Sequence, residues 1–301
     1  MILDWEGAFR AGPATCGGKG FNLARLHRYG FPVPCGGVLP ADVYSDFIRP
    51  FNVERVTDFD ALRAGIERAR LPDNARDAIR AFLPDATLAV RSSAVAEDGA
   101  KASFAGIHRS VLDIGDPDAR ERAVLACYAS LWTPQAIAYR RALGIPDRDV
   151  PCAVVLCEMV PSAVAGVAFS CDPRTGRRDL VVINAAPGPG ERVVSGAVNP
   201  DHIEIRLSPG RAEVLHRTGT ALTPEQEVEL ALAVERIHWA LGDGQDPQDV
   251  EWTHDGRRFW FLQSRPVTRV PRHTFEPAKA LPLYWSTANI KDAVPGVVSM
   301  L

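Results

Sequence analysis

The chain has 301 residues, a hydrophobic content of 46% and a formal net charge of −3, enough apolar material for one large core or two modest ones. A sequence pI near 6.2, with no long run of like charges, gives none of the basic field that nucleic acid requires, and no apolar stretch approaches the ~20 residues that span a bilayer. The opening MILDWEGAFR lacks a basic-then-apolar leader, and the six cysteines contain no CxxC pair, so a cytoplasmic protein with reduced thiols, free of structural zinc, is expected.

The first feature in chain order is Cys16-Gly17-Gly18-Lys19-Gly20, followed by Phe21-Asn22-Leu23-Ala24-Arg25-Leu26, whose apolar spacing predicts a short helix ending at Gly30. Glycines ahead of a helix can cradle phosphate on backbone N–H groups, with Lys19 adding a mobile charge. Taken alone, such a run is more often a turn, and it is not a P-loop, because Gly20 stands where that motif carries its hydroxyl. Short amphipathic helices are expected over 41–49, 60–69 and 73–83, then a buried strand at Leu88-Ala89-Val90. That strand delivers Arg91, and Ser103-Phe104-Ala105-Gly106 follows as a small-residue loop. Arg91 beside it could grip a phosphate bidentately, the alternative being a salt-bridged structural arginine.

Helices over 119–132 and 134–143 lead into a β-rich second half. Its runs are 153–156, then Cys157-Glu158-Met159-Val160, then 166–170, a turn at Asp172-Pro173-Arg174-Thr175-Gly176, and 179–184. Thr223, Pro224 and Gln226 occupy capping positions of a helix that runs to Gly242. The Pro-rich stretch 266–282 resembles a linker.

The densest polar signal lies at 248–266, QDVEWTHDGRRFWFLQSRP. Runs at 249–253 and 258–263 around Asp255-Gly256 predict a β-hairpin. Alternation places Asp249 and Glu251 on one face of the first strand, and Gln263 and Arg265 on one face of the second. A two-residue turn would set Glu251 opposite Trp260 and turn Gln263 away. A three-residue loop, with Gly256 left-handed, would set Asp249 opposite Phe261 and gather all four on one face. A functional site requires the odd loop. Converging carboxylate and amide oxygens suit a hard cation already held by phosphates, and the guanidinium would steady a transferring group. The alternative is a surface hairpin with solvated charges.

In order, GGKGFNL at 17–23, VRSSAVAED at 90–98, SFAG at 103–106, AGVAFSCDPRTG at 165–176, VVSGAVNPD at 193–201, QDVEW at 248–252 and LQSRP at 262–266 resemble one family. It is the N-terminal ATP-binding domain of phosphoenolpyruvate synthase, pyruvate phosphate dikinase and rifampin phosphotransferase. GGKGFNL and YWSTANIKDAVPGV at 284–297 look closest to the rifampin branch. The resemblance implies an α+β chain with the ATP-grasp fold, in which subdomains of roughly 1–150 and 151–268 clamp Mg-ATP and 269–301 forms a linker. It also implies roles. Lys19 and Arg91 match the phosphate-binding positions, Asp249 and Glu251 the acidic pair, Gln263 the metal side, with Glu251, and Arg265 the catalytic arginine. Gly106 belongs to a nucleotide-contacting loop, and Glu158, Met159 and Val160 should line the adenine slot through backbone hydrogen bonds.

The chain departs from the family in two respects. Ala185-Ala186-Pro187-Gly188-Pro189-Gly190-Glu191 stands where a Gly-Leu-Gly-Glu turn is common, and Pro189 removes an N–H donor and stiffens the loop. The swivelling domain whose histidine receives the phosphoryl group, and the domain for a final small-molecule acceptor, have no counterpart before Leu301. None of the chain's histidines has the family's Thr-Ser-His-type surroundings, and His254 is expected to be a turn residue at the hairpin tip. The expected function is therefore ATP-dependent transfer to a histidine on another domain or chain, with AMP and phosphate as products. A non-catalytic ATP-sensing module and a free-standing ATP-grasp ligase are the alternatives.

Overall fold

The computed structural model describes residues 2–94, 109–147, 150–190, 193, 196, 198–267 and 270. Its helices are α1 (Trp5–Ala11), α2 (Pro13–Arg28), α3 (Ala41–Ile48), α4 (Phe59–Arg68), α5 (Asp73–Ala81), α6 (Pro117–Ser130), α7 (Pro134–Ala142) and α8 (Pro224–Gly242). The expected helices at 41–49, 60–69, 73–83, 119–132, 134–143 and 223–242 are present within a few residues of those bounds. Thr223 and Gln226 form a reciprocal capping box at the start of α8, with Pro224 in its first turn.

The strands are β1 (Leu3–Asp4), β2 (Gly36–Leu39), β3 (Leu88–Ala94), β4 (Ser110–Ile114), β5 (Cys152–Glu158), β6 (Val164–Phe169), β7 (Leu180–Pro187), β8 (Asp201–Ser208), β9 (Arg211–Arg217), β10 (Gln248–His254) and β11 (Phe259–Pro266). They form two sheets, ordered β1-β2-β5-β3-β4 and β11-β10-β6-β7-β8-β9. Every pairing in both is antiparallel, so the chain is α+β rather than a βαβ alternation.

Alternation along β3 decides which side chains reach the site. Leu88 and Val90 point into a core shared with α3 to α6, while Ala89 joins a second core around α1 and α2, and Arg91 follows it onto that side. The second core also takes Ile183, Ile203, Val250, Trp252 and Phe261 from one face of the six-stranded sheet, together with Leu230, Val234 and Ile237 of α8. That packing leaves Asp249 and Glu251 on the opposite face.

Two local expectations need correction. The predicted short helix at Phe21 is the second half of α2, which begins at Pro13 and breaks at Gly17, φ 65° and ψ 173°. A Cβ there would lie 2.0 Å from the Ser93 carbonyl oxygen, so only glycine lets α2 lie this close to β3. The predicted strand 88–90 continues through Arg91, Ser92 and Ser93 to Ala94.

The hairpin forms, with Gly256 at φ 94°, but not through a three-residue loop. His254 pairs with Phe259 and Trp252 with Phe261, a register that continued unbroken would turn Gln263 away from Glu251. A bulge between Glu251 and Trp252 adds one residue on β11, so Glu251 faces Gln263 and Asp249 faces Arg265, not Phe261. The tip is closed by Asp255, whose carboxylate accepts the Arg257 and Arg258 N–H groups and the Trp260 indole. These donors hold its pKa well below the usual carboxylate range. His254 is not a turn residue as expected but the last residue of β10, paired with Phe259 and Val164 and buried, its Nδ1 accepting the Gly256 N–H.

None of the six cysteines is in a disulfide, and burial pushes the Cys16, Cys157 and Cys171 thiols up to about 11 and Cys127 to about 12. No described helix is long and apolar enough to cross a membrane.

Candidate functional site

The site assembles where α2, β3 and the β10–β11 hairpin meet. The Ser93 hydroxyl donates to the Cys16 carbonyl at 2.9 Å and accepts the Gly20 N–H at 3.0 Å, fastening the two sides of the α2 break to β3. Lys19, on the intervening turn, directs Nζ to the Ser92 carbonyl at 3.2 Å.

Arg91 reaches from β3 to the hairpin. Its Nη2 donates to Glu251 Oε2 at 2.7 Å and to Gln263 Oε1 at 2.9 Å, and its Nη1 donates to the Leu262 carbonyl at 3.0 Å. Leu262 is the residue added by the bulge, so the same irregularity that turns Gln263 toward Glu251 also presents a carbonyl to Arg91. Beside this group, Arg265 grips Asp249 Oδ2 through Nε at 2.9 Å and Nη2 at 2.8 Å. The other oxygen, Asp249 Oδ1, is buried without a hydrogen-bond partner. The six residues singled out as Lys19, Arg91, Asp249, Glu251, Gln263 and Arg265 are thus brought together.

The two carboxylates respond differently. Burial works to raise the Glu251 carboxyl, but Arg91, with smaller contributions from Lys19 and Arg265, outweighs it and holds the group below its ordinary value. Burial pushes Asp249 up, Arg265 offsets this only in part, and the neighbouring Glu251 charge adds to the rise. The result is an ionised acceptor beside a carboxyl that gives up its proton less readily.

Glu158 closes β5, with Met159 and Val160 beyond it. Two of this segment's N–H groups are engaged by backbone, Glu158 to the Cys35 carbonyl and Met159 to the Thr87 carbonyl, both at 2.8 Å. The Val160 N–H donates to no described residue, which narrows the candidate donors for a base edge to one. In the stiffened loop, the Gly188 N–H donates to Ala163 O at 2.9 Å and its carbonyl accepts the Ser162 hydroxyl at 2.8 Å. Gly106 lies outside the described residues. Among the described residues, no group of three or more His, Cys, Asp or Glu could hold a metal.

The sequence reading missed the residues that fix these side chains in place. Ser93 bridges β3 and α2, and the Asn22 amide donates to the Ser264 carbonyl at 2.9 Å across 242 residues. Asn22 follows Lys19 by three residues, so helical spacing alone could have flagged it as sharing that side of α2.

Residues 14–218 match the family described as the pyruvate phosphate dikinase AMP/ATP-binding domain. A rifampicin phosphotransferase of Streptomyces sviceus is 34% identical over 89% of this chain and 36% of its own length. A probable phosphoenolpyruvate synthase of Methanocaldococcus jannaschii is 33% identical over 85% of this chain and 26% of its own. A prodigiosin synthesizing transferase of Serratia marcescens is 33% identical over 89% and 33%, so the chain spans about a third of such relatives. An ATP-complexed D-alanine–D-alanine ligase of Bacillus anthracis overlaps 88% of this chain and 60% of that one, at 11% identity and a TM-score of 0.34, too low to carry weight. With its match over residues 14–218, the chain belongs to the pyruvate phosphate dikinase AMP/ATP-binding domain family.

Proposed function

We propose that this chain is the ATP-binding module of a dikinase-type phosphotransferase. Residues 1–268 would form an ATP-grasp clamp that passes a phosphoryl group from Mg-ATP to a histidine on another domain or chain, with 269–301 as linker. ATP, water and histidine would give AMP, phosphate and phosphohistidine. The observation that carries this reading is the convergence of Lys19, Arg91 and Arg265 with three oxygen-bearing side chains where α2, β3 and the hairpin meet.

In this reading Lys19 and Arg91 hold phosphate oxygens, Arg91 exchanging Glu251 and Gln263 for the nucleotide. The oxygens so released, together with unpartnered Asp249 Oδ1, fit a hard cation that takes oxygen ligands. Glu251 and Gln263 would hold Mg²⁺, which when bound neutralises phosphate charge. Arg265, oriented by the two hydrogen bonds it donates to Asp249, would stabilise charge at the transferring phosphorus. Met159 would wall the base, with the Val160 N–H and the Glu158 carbonyl on its edge and Gly106 on the phosphate side. The final small-molecule acceptor would bind elsewhere, since relatives named for rifampicin, phosphoenolpyruvate and prodigiosin all match this region. The unbridged thiols, buried at every position but Cys35, agree with a cytoplasmic setting.

Titration calorimetry with Mg-ATP tests the first step. Wild-type protein is expected to bind, and Lys19→Ala or Arg91→Ala to weaken binding at least about tenfold, the scale of one charge-assisted hydrogen bond. No binding by folded wild-type protein would remove the basis of the proposal. A second reading, ATP sensing without turnover, draws on the Gly188 latch and on Pro189, which offers no N–H to a phosphate. It would be favoured if ATP binds but no AMP forms with any histidine domain.

A further inference from the structure

We propose that Asn22 is a positioning residue, keeping the Lys19 end of the site in register with the hairpin while Arg91 is engaged by nucleotide. The inference rests on the ATP-binding reading above.

Three links join the elements of the site pairwise. Ser93 joins α2 to β3, Arg91 joins β3 to the hairpin, and Asn22 joins α2 to the hairpin. Phosphate would compete for the second link, because it attracts the guanidinium that makes it. The Asn22 link is a neutral amide donating to a backbone carbonyl, with nothing to attract phosphate, and it is buried at 9% exposure. It survives when the Arg91 link is exchanged.

The carbonyl that Asn22 grips is well placed for this. Ser264 lies between Gln263 and Arg265, so its backbone position sets both side chains. Its hydroxyl donates to Gln248 Oε1 at 2.9 Å, the Gln248 Nε2 donates to the Asp246 carbonyl at 2.8 Å, and the Gln248 N–H donates to the Ser170 hydroxyl at 2.8 Å. This chain of hydrogen bonds, buried at Ser264, Gln248 and Ser170, ties Ser264 to the body of the six-stranded sheet. At the other end, Asn22 is one helical turn from Lys19. A shift of α2 against β11 would therefore move Lys19 relative to Gln263 and Arg265 together.

The test uses the 301-residue chain, with Asn22→Leu to remove the donor at similar size and Asn22→Asp to oppose a carboxylate to the carbonyl. Mg-ATP affinity is measured by calorimetry, adenosine affinity by saturation-transfer NMR, and folding by circular dichroism. Both variants are expected to weaken Mg-ATP about tenfold while adenosine changes less than about twofold, because the phosphate contacts alone depend on this register. In a Lys19→Ala background the further loss from either variant should fall to about twofold or less, the mark of residues acting through one another. Equal losses for Mg-ATP and adenosine, or full additivity with Lys19→Ala, would reduce Asn22 to general stability and overturn the proposal, as would failure of both variants to fold. Normal Mg-ATP binding by both folded variants would overturn it too. Failure of wild-type protein to bind Mg-ATP would instead strike the ATP-binding reading beneath it.

Discussion

Arg91 Nη2 and Glu251 Oε2 meet at 2.7 Å although 160 residues separate them in the chain, and the contact joins the two sheets at the site. Both side chains are largely buried, at 15% and 23% exposure, so each depends on the other for its charge to be tolerated. Glu251→Gln should lower the stability of the nucleotide-free protein by about 1–3 kcal/mol in urea unfolding at neutral pH. Because the folded Glu251 carboxyl lies below its ordinary 4.5, its contribution is present above that pH and is lost as pH falls through the folded value. The deficit of the variant should therefore shrink on acidification, and a constant deficit down to acid pH would count against the ion pair.

Asp249 should behave in the opposite sense. Its folded carboxyl is raised above 3.8, so ionising it costs stability, a cost absent below that pH and growing as pH rises through the folded value. Asp249→Asn is expected to melt at or above the wild-type temperature at neutral pH without nucleotide, yet to lose most Mg-dependent stabilisation by ATP. Melting curves at several pH values, with and without Mg-ATP, distinguish this from a purely structural role, for which the variant would melt lower throughout.

Gly17→Ala should disturb both stability and binding. The added Cβ meets the Ser93 carbonyl at 2.0 Å in a left-handed conformation, and neither backbone can yield without moving Lys19 from Ser92. A loss of about 2–4 kcal/mol is expected, measured by urea unfolding, with Mg-ATP affinity reduced alongside. Gly12, also at positive φ but with open space around it, gives a control in Gly12→Ala, which should cost about 1 kcal/mol and leave affinity intact.

What was legible in the sequence were features written by local chemistry. The capping box of α8 depends on Thr223 and Gln226 alone, and the turn at Asp172 closes through its own Thr175 hydroxyl and Gly176 N–H. Alternation correctly paired Asp249 with Glu251 and Gln263 with Arg265. How the two pairs meet was not legible, because the bulge beside Glu251 is set by packing Trp252 and Phe261 into the core while Gln263 stays out of it. Strands β8 and β9 are not legible either, since their half-exposed, charge-rich residues carry little apolar signal. The role of Asn22 leaves no sign in the sequence, because its partner is a backbone carbonyl 242 residues away and backbone partners leave no trace in residue types.

The proposed transfer from ATP to a histidine on another domain or chain is tested most directly by one measurement. Residues 1–301 are incubated with Mg²⁺ and β-labelled ATP, with and without a family histidine domain added in trans, then resolved by nucleotide chromatography and acid treatment. The expected result is at most slow hydrolysis alone, and AMP with an acid-labile phosphohistidine when the domain is present. Arg265→Ala should abolish both products while leaving ATP affinity within about threefold of wild type. Rapid phosphorylation of a small acceptor by the chain alone, or ADP in place of AMP, would contradict the claim and put a ligase or direct kinase in its place.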